Sequence, residues 1–573
     1  MKTRIRIIAG CVFLFSILLL VKLYSVQIIN SEDFRDRADR QYQRPANAFN
    51  RGTIYFTDKF GTKIGAATLK NGFILAIIPK TLQRDASIET TYQKLVEIIP
   101  TLNYEEFVTK AKKVDANNVG DTYEEIAKRI EEEQGKKISA LKIPGVSLYK
   151  DKWRYYPGGE LAAHVLGFMG YKGNEIGGRY GLERSYEENL KRESDDVYVN
   201  FFAELFSNLK KGVSGELQGD VVTTIEPRTQ AYVEDILKNI SKQYSSERSG
   251  AIVMDPNTGE IVSMALYPTF DPNNFQSASG PEVFRNDLVE SVNEMGSIIK
   301  PLTMAVGIDL GKVHATTTYN DTGSVTSDGR TIYNFDKKGR GVITPQYALS
   351  KSLNTGFAYV VQRTGNKALT DYFKSFGLGT KTGIDLPNEG AGLVDNLNSP
   401  RDIEHITASF GQGIAVSPVQ VVRAFSAIAN GGTLVTPHVV KQIDYRVGIS
   451  KEQKGDSTAS ANVRVIKEST SKEVTDMMVY NVDNSLLDGK AKNPRYSVAA
   501  KTGTAQIAVK GGYSDDRYLH SFVGYLPAYN PKFVVFMYTV NPRGVQYSSE
   551  TLAKPFIEMT KFLINYYQLP PDR

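Results

Sequence analysis

The sequence predicts an α+β protein in which one antiparallel sheet carries packed helices. Segments of strand type lie at 249–255 and 260–267, and again much later at 521–526 and 532–540. The first pair is joined around 257–259, an Asn-Thr-Gly sequence typical of a hairpin turn. Helical patterns fill the region between the two pairs, so the four segments are expected to share one sheet.

The N-terminal residues predict a membrane anchor. Residues 1–6 form a short basic tail, and 7–29 form an apolar segment interrupted only by Lys22. A segment of this length spans the roughly 30 Å hydrocarbon layer of a bilayer. The basic flank predicts a cytoplasmic N-terminus and an extracytoplasmic body. A cleaved signal peptide is the alternative, but no small-x-small site closes the run, which favours an uncleaved single-pass anchor.

Bulk composition narrows the class of protein. The chain has 573 residues, 41% of them hydrophobic and 23% charged, which fits a globular protein with room for several domains. A net charge of +6 is small for this length and does not indicate a nucleic-acid binder. Cys11 is the only cysteine, so the extracytoplasmic body must be stable without internal disulfides.

The chain divides into two predicted parts after the anchor. Residues 30–215 mix short strands and helices, with amphipathic helices expected at 87–99 and 122–134, and contain no catalytic motif. Residues 216–566 contain every motif that carries chemistry, and 567–573 are expected to form a loose tail. The sequence therefore predicts a non-catalytic N-terminal domain followed by a catalytic domain.

Three short motifs occur in order within the predicted catalytic domain. They are S-x-x-K at Ser297–Lys300, S-x-N at Ser352–Asn354 and K-T-G-T at Lys501–Thr504. A serine hydroxyl is a weak nucleophile at neutral pH and needs a neighbouring base. Helical residues three apart share a face, so Lys300 is expected beside Ser297. Lys300 can act as the base if burial, or the charge of Lys501, lowers its pKa.

The other two motifs suggest proton transfer and substrate binding. Ser352 is a candidate for passing a proton to the leaving amine, and Asn354 for hydrogen bonding a substrate amide. The apolar residues 498–500 predict an edge strand that runs into Lys501 and pairs with an extended peptide. These assignments make Ser297, Lys300, Ser352, Asn354 and Lys501 the candidate catalytic residues.

The K-T-G-T residues are the candidate binding groups for a substrate carboxyl terminus. Lys501, Thr502 and Thr504 are expected to hold a terminal carboxylate, while Gly503 is expected to let the substrate approach closely. The backbone N–H groups of Ser297 and Thr504 are the candidate oxyanion hole.

Rival copies of the motifs lie in weaker contexts. S-x-x-K also occurs at Ser139, Ser207 and Ser469, and a second Lys-Thr-Gly occurs at 381–383. Only the copy at Ser297 follows a glycine and precedes an apolar segment typical of a buried helix. The copy at 381–383 has turn-forming neighbours and no strand before it, so a catalytic role is not expected there. No histidine has the spacing of a metal ligand, and no catalytic metal or cofactor is expected.

The chain resembles the class B high-molecular-weight penicillin-binding proteins, whose active-site set is these three motifs. Within the class it looks most like the division-specific FtsI-type branch. The resemblance covers nearly the whole chain, and Met295 replaces the proline of the family's E-P-G-S sequence. The residues that carry it are 293–297, 410–413, 417–420, 250–268, 51–52, 153–157, 164–168 and 181–183 for the class, and 267–274 and 284–286 for the branch.

The resemblance implies an elongated pedestal, or dimerisation-type domain, at 30–215 and a penicillin-binding transpeptidase domain at 216–566. It implies a serine D,D-transpeptidase that cross-links peptidoglycan stem peptides in septal wall synthesis and that β-lactams block. The implied partners are a membrane glycosyltransferase, other division proteins and a second copy of the chain. An elongation-type transpeptidase, a β-lactam sensor or hydrolase, and a non-enzymatic cell-wall scaffold are the alternatives.

Overall fold

The structure is a computed structural model that describes residues 50–114, 120–172, 175–192, 218–446, 450–452, 463–509 and 511–573. The predicted cytoplasmic tail 1–6 and anchor 7–29 lie outside these ranges. Among the helices within them, none combines the length and the apolar character needed to cross a bilayer. The described chain packs as two compact units, one made of 69–153 and the other of 51–68, 154–192 and 218–573.

The smaller unit, 69–153, has a core of apolar side chains from its strands and helices, including Leu75, Leu95 and Phe107. Its strand Glu124–Ile130 pairs antiparallel with the last residues of strand Lys63–Ile77. The other elements are helices Pro79–Asp85, Ile88–Val96, Tyr104–Ala111 and Glu132–Ala140 and strand Val146–Tyr155.

One helix predicted in this unit is confirmed and one is wrong. Ser87 caps helix Ile88–Val96 by accepting a hydrogen bond from the Thr90 N–H. The helix predicted at 122–134 is a strand followed by a separate helix that begins at Glu132. Arg129 has a positive φ of 59°, which no helix interior accommodates, and pairing with the neighbouring strand satisfies the backbone instead.

The larger unit is built on a five-stranded antiparallel sheet, as the sequence predicts. In spatial order its strands are Ala499–Val509, Gly512–Leu526, Phe533–Val540, Arg248–Met254 and Ile261–Tyr267. The predicted hairpin and the two late strands are all present. Strand Ala499–Val509, which carries the K-T-G-T residues and is called the KTG strand below, is at the edge of the sheet, as expected.

Helical layers cover both faces of this sheet. Side chains alternate along strand Phe533–Val540, so that Val534 and Phe536 join one apolar core while Val535 and Met537 join another. Helices Pro227–Tyr244 and Ala553–Tyr567 contribute to the second core. The first core includes side chains of helices Lys300–Asp309, Asn354–Thr364, Asn366–Ser375, Asp402–Ala408, Pro418–Ala429 and Glu468–Asn484.

Shorter elements complete the larger unit. Its remaining α-helices among the described residues are Ala163–Leu166, Gly181–Ser185, Glu187–Leu190, Pro345–Ser350 and Ser548–Thr551, and its 3₁₀ helices are Pro272–Ser277, Pro281–Phe284, Gly296–Ile299, Asp395–Asn398 and Leu486–Gly489. A second sheet joins strands Ile54–Thr57, Gly219–Thr223, Val440–Tyr445 and Ser450–Glu452 to the first residues of Lys63–Ile77. Small two-stranded sheets are formed by Met169–Lys172 with Glu175–Gly178, Tyr319–Asp321 with Gly341–Ile343, Ser324–Ser327 with Arg330–Tyr333, and Thr433–Leu434 with Val463–Arg464.

A buried ion network joins segments 51–68 and 154–192 to each other. Arg51 Nε donates to Glu183 Oε2 at 2.6 Å, and Arg154 Nε donates to Glu183 Oε1 at 2.5 Å. Burial alone would raise the pKa of the Glu183 carboxyl, but the Arg154 and Arg51 guanidiniums hold it below its usual value. Strand Ile54–Thr57 pairs with Gly219–Thr223, and the Tyr156 N–H donates to Asn273 Oδ1 at 2.9 Å. Both segments therefore pack with residues that lie beyond the predicted domain boundary at 215/216.

The C-terminal residues are not loose, contrary to the expectation for 567–573. The Asp572 carboxylate accepts the Ser497 N–H at 2.7 Å, and the Leu569 carbonyl accepts the Tyr496 hydroxyl at 2.9 Å. The tail is thereby fixed beside residues that lead into the KTG strand.

Candidate active site

Ser297 lies in a tight 3₁₀ turn, Gly296–Ile299, that leads directly into helix Lys300–Asp309. Gly296 has a positive φ of 62°, and a β-carbon there would lie 2.7 Å from the Thr504 carbonyl oxygen. A β-carbon on Gly411 would lie 2.2 Å from the Gly296 carbonyl oxygen. Only glycine fits at both positions, and this close packing presents the half-buried Ser297 side chain beside the KTG strand.

Lys300 is fully buried and makes three polar contacts. Its Nζ lies 2.7 Å from the Ser352 carbonyl oxygen, 2.9 Å from Asn354 Oδ1 and 3.2 Å from Ser352 Oγ. The rings of Phe357 and Phe410 lie 5.2 and 5.9 Å from the same nitrogen. Burial, reinforced by the charge of Lys501, lowers the pKa of Lys300 well below its usual value.

The contacts of Lys300 suit a neutral amine. The Ser352 carbonyl and the Asn354 amide oxygen can only accept hydrogen bonds, and a neutral amine has two N–H groups to donate to them. Its lone pair then remains available to a hydroxyl group. The polar contacts of Lys300 are all with the S-x-N residues. Within the described ranges no hydrogen bond of the Ser297 hydroxyl is observed, although the sequence predicts Lys300 beside Ser297.

The S-x-N motif lies in the turn between helices Pro345–Ser350 and Asn354–Thr364. Ser352 adopts a left-handed backbone with φ of 57°, an unfavourable conformation for serine that is typical of functional sites. This turn directs both its carbonyl and its hydroxyl oxygen towards Lys300. Asn354 Nδ2 donates to the Tyr333 carbonyl at 3.0 Å, which fixes the amide with its oxygen towards Lys300.

The KTG strand brings a second lysine to the same serine. Lys501 Nζ lies 3.2 Å from Ser352 Oγ and 2.9 Å from the Thr502 carbonyl oxygen, and the side chain is only 2% exposed. Burial lowers the pKa of Lys501 to about 7, so its charge is finely balanced near neutral pH. The Ser352 hydroxyl therefore lies between two lysines, each able to exchange a proton with it.

Gly503 is required for a reason other than the one the sequence suggests. A β-carbon there would lie 2.4 Å from Ser521 Oγ, 2.7 Å from the Met295 carbonyl oxygen and 2.9 Å from Ile298 Cγ2. All three atoms belong to the interior, so glycine is needed for packing against the Ser297 turn. The expectation that it makes room for substrate does not account for these contacts.

The two threonines of K-T-G-T are half-buried, but they differ in their contacts. Thr504 Oγ1 accepts the backbone N–H of Ser548 at 3.1 Å, which links the KTG strand to helix Ser548–Thr551. No hydrogen bond of the Thr502 side chain is observed among the described residues. The carboxylate-binding role of these residues, and the oxyanion hole at Ser297 and Thr504, stay predictions.

The second Lys-Thr-Gly, at 381–383, lies in a loop with no strand before it, as predicted. The backbone N–H groups of Thr382 and Gly383 donate to the Glu389 carboxylate at 2.5 and 3.1 Å. These donors are already used within the chain, so this copy cannot offer them to a ligand.

Sequence reasoning assigned no role to two residues near the site. The Tyr333 carbonyl orients Asn354, a backbone role that no motif reveals. Glu294 Oε1 accepts the Gly413 N–H at 3.0 Å and the Tyr513 hydroxyl at 2.9 Å, and burial raises the pKa of this carboxyl. Its place three residues before Ser297 was the available signal.

In the described part of the chain, no cluster of three or more His, Cys, Asp or Glu residues has an arrangement suited to a metal ion.

Family models match both parts of the chain. The penicillin-binding protein transpeptidase domain matches residues 249–559, and the penicillin-binding protein dimerisation domain matches residues 47–203. The chain belongs to the penicillin-binding protein family. Residues 249–559 of this penicillin-binding protein include all three motifs, and the predicted resemblance to class B is confirmed.

Curated relatives resemble this penicillin-binding protein over most of its length. It is 32% identical over 509 residues to stage V sporulation protein D of Bacillus subtilis, covering 87% of this chain and 76% of that protein. It is 27% identical over 560 residues to peptidoglycan D,D-transpeptidase FtsI of Escherichia coli K12, covering 96% of this chain and 90% of the relative.

Solved structures share its fold. Penicillin binding protein 2X from Streptococcus thermophilus superposes with a TM-score of 0.71 at 20% identity, covering 91% of this chain and 80% of that one. Penicillin binding protein 3 from Mycobacterium tuberculosis, solved in complex with ampicillin, superposes with a TM-score of 0.64 at 28% identity, covering 74% and 91%.

Proposed function

We propose that this protein is a serine D,D-transpeptidase that cross-links peptidoglycan stem peptides. One observation carries the proposal: two buried lysines, Lys300 and Lys501, are hydrogen-bonded to the half-buried S-x-N residues Ser352 and Asn354 in a single cluster next to the half-buried Ser297. Burial keeps the pKa of both lysines low, which is what a lysine general base requires. The relatives named peptidoglycan D,D-transpeptidase support the substrate class.

In the first step the Ser297 Oγ attacks the carbonyl carbon of the penultimate D-alanine of a donor stem. Lys300, present as the neutral amine, takes the proton from Ser297 as the new C–O bond forms. The C–N bond to the terminal D-alanine then breaks, and Ser352 passes a proton to the departing amine. Lys300 can replace the proton that Ser352 gives up, because its Nζ lies 3.2 Å from the Ser352 Oγ. Lys501 contacts the same hydroxyl.

In the second step an amine of a neighbouring stem attacks the acyl-enzyme. It loses a proton by the reverse of the same route, and Ser297 leaves with its own proton restored. The products are a new amide between two stems and the free enzyme, so no cofactor is consumed. The backbone N–H groups of Ser297 and Thr504 are the proposed donors to the oxyanion in both steps.

The KTG strand aligns the substrate. As an edge strand it has backbone groups able to pair with an extended stem peptide. Lys501, Thr502 and Thr504 then hold the terminal carboxylate. We propose that β-lactams acylate Ser297 in the same position, which is supported by the similar protein solved with ampicillin.

The proposed setting is the outer face of the cytoplasmic membrane, with residues 7–29 as a single-pass anchor and 30–215 as the pedestal. The similarity to FtsI over 96% of the chain supports a septal role beside a membrane glycosyltransferase and other division proteins. An elongation-type transpeptidase is the nearest alternative. A β-lactam sensor or a non-enzymatic scaffold would keep the fold but not the cross-linking activity.

The deciding experiment is labelling with fluorescent penicillin, followed by mapping of the modified peptide. The label is expected on Ser297, and Ser297→Ala should remove it while leaving the thermal unfolding midpoint unchanged. D-Alanine release from a D-alanyl-D-alanine peptide in the presence of an acceptor amine separates a transpeptidase from a sensor. Full labelling of the Ser297→Ala variant would refute the nucleophile.

A further inference from the structure

A buried polar cluster lies directly behind the S-x-N motif and takes no part in the chemistry described so far. It consists of Asp321, Asn334 and Thr355, each no more than 2% exposed. Asp321 Oδ1 accepts hydrogen bonds from the Gly323 N–H at 2.9 Å, from Asn334 Nδ2 at 3.0 Å and from Thr355 Oγ1 at 2.9 Å. Buried polar groups are retained when each finds partners, and this carboxylate has three.

Asn334 connects the same residues from the other side. Its Oδ1 lies 3.2 Å from both the backbone nitrogen and the hydroxyl oxygen of Thr355. The single hydroxyl proton of Thr355 goes to Asp321, the shorter contact, and the Thr355 N–H goes to Asn334. The cluster thus holds both the backbone and the side chain of Thr355.

The neighbours of these residues in the chain are the ones that matter for the active site. Tyr333 precedes Asn334, and Asn354 precedes Thr355. The Asn354 Nδ2 group donates to the Tyr333 carbonyl at 3.0 Å. Tyr333 is therefore hydrogen-bonded to Asn354, and the next residue, Asn334, to the next residue, Thr355. This double connection fixes the Tyr333 carbonyl relative to the Asn354 side chain.

The orientation of the Asn354 amide decides what Lys300 contacts. With Nδ2 on the Tyr333 carbonyl, Oδ1 faces Lys300 Nζ at 2.9 Å. A flipped amide would place its oxygen against the Tyr333 carbonyl, so that two acceptors face each other, and its N–H group could bind Lys300 only by occupying the lone pair of the amine. The orientation in the structure therefore depends on where the Tyr333 carbonyl is held.

We propose that Asp321, Asn334 and Thr355 are positioning residues that hold the Asn354 amide with its oxygen on Lys300. The proposal rests on the proposed function, because its consequence is the rate of acylation at Ser297. The Ser352 carbonyl and Asn354 Oδ1 accept the two N–H groups of the neutral Lys300 amine, so that its lone pair points elsewhere and can take the proton of Ser297. Displacement of the Asn354 amide would remove one of these two acceptors. Lys501 is the other titratable group that faces this amine.

Thr355→Val tests the proposal, because it removes the hydroxyl at nearly constant volume. Acylation by fluorescent penicillin is measured at saturating concentration across pH 5 to 9. We expect the rate constant to fall by roughly tenfold or more, as for misplaced general bases. We also expect the acid limb of the profile to move to lower pH, because the Lys300 ammonium loses an acceptor. Thr355→Ser keeps the hydroxyl and should restore both the rate and the limb.

Thr370→Val is the matched control. Thr370 is a buried helical threonine whose hydroxyl donates to the Leu397 carbonyl, away from the S-x-N motif. Thr370→Val should lower the thermal unfolding midpoint by about as much as Thr355→Val does, but it should leave the acylation rate constant and the acid limb of the pH profile unchanged. Asp321→Asn provides a second variant, expected to act in the same direction as Thr355→Val.

The outcomes are distinct. A folded Thr355→Val protein with the wild-type rate and limb would overturn the positioning role while leaving the proposed function intact. Equal losses in Thr355→Val and Thr370→Val would also overturn it, by showing a general effect of destabilisation. A wild-type enzyme that is never acylated would refute the proposed function, and the positioning role with it.

Discussion

Gly503 packs so closely against Met295 that a β-carbon on Gly503 would lie 2.7 Å from the Met295 carbonyl oxygen. The Ser521 hydroxyl donates to the same carbonyl at 2.8 Å. The KTG strand and the turn that carries Ser297 therefore meet backbone to backbone. This contact fixes the distance between the nucleophile and the strand proposed to bind substrate.

Gly503→Ala should push these two elements apart. The new methyl group would meet backbone and interior atoms that cannot move cheaply, and overpacking of this kind costs about 1–3 kcal/mol. We expect a lower thermal unfolding midpoint and a fall in penicillin acylation of roughly tenfold or more, since small misplacements are costly in catalysis. Gly177→Ala is the control, because the nearest atom to its added β-carbon is 3.7 Å away. Wild-type acylation by Gly503→Ala would contradict the packing argument.

The two Lys-Thr-Gly copies should respond differently to loss of their lysine. Lys501→Ala removes a buried group that contacts Ser352, and acylation should slow by about 10²-fold or more, the usual range for proton-transfer groups. Lys381 is exposed, and the N–H groups that follow it are bonded to Glu389, so Lys381→Ala should acylate normally. Second-order acylation rate constants for both variants decide the matter. Similar losses would show that the wrong copy has been assigned.

Folding stability should rise with pH above neutrality. Lys501 has a pKa of about 7 when folded and an ordinary pKa near 10.5 when unfolded. Between these values the unfolded chain binds more protons, so the free energy of unfolding increases with pH, by at most about 1.4 kcal/mol per pH unit for one lysine. Lys300 acts in the same direction. Denaturant unfolding between pH 7.5 and 9 should show a steeper rise for wild type than for Lys501→Met, and equal slopes would argue against the lowered pKa.

Replacement of residues 69–153 by a short Gly-Ser linker should leave penicillin acylation near the wild-type rate. These residues form a unit with its own core and contribute no group to the cluster around Lys300. Deletion of 51–192 is the comparison, because it also removes Arg51 and Glu183 and leaves strand Gly219–Thr223 without its partner Ile54–Thr57. We expect that protein to unfold at a lower temperature. Loss of acylation in the linker variant with a cooperative unfolding transition would show that 69–153 help to build the site.

The sheet and the candidate catalytic residues were predictable because both follow from short stretches of sequence. Continuous apolar runs within 249–255 and 532–540 are typical of strands covered on both faces, and a serine nucleophile needs a neighbouring base, for which the lysine of S-x-x-K is the candidate. In the structure Lys300 contacts Ser352 and Asn354, and Lys501 contacts Ser352, so residues more than 200 apart in sequence form one connected set.

What could not be predicted depends on neighbours distant in sequence. The segment 122–134 has helical periodicity, but pairing with an adjacent strand outweighs that weak preference. Gly503 looks like a glycine that admits substrate until Met295 and Ser521 are seen behind it. Likewise, Asn334 shows nothing unusual in sequence, since its partners Asp321 and Thr355 come together only in the folded chain.

The strand pairings of the larger unit constrain the order in which the chain can fold. Residues 69–153 are continuous and can fold soon after they emerge, since their core is complete by then. Strand Ile54–Thr57 can pair at once with Lys63–Ile77, but its other edge stays open until Gly219–Thr223 is made. Strand Arg248–Met254 can pair at once with Ile261–Tyr267, but its other edge stays open until Phe533–Val540 is made, close to the end of the chain. The larger unit therefore cannot complete its sheets until nearly the whole chain has been made, and until then its open strand edges can pair with other chains.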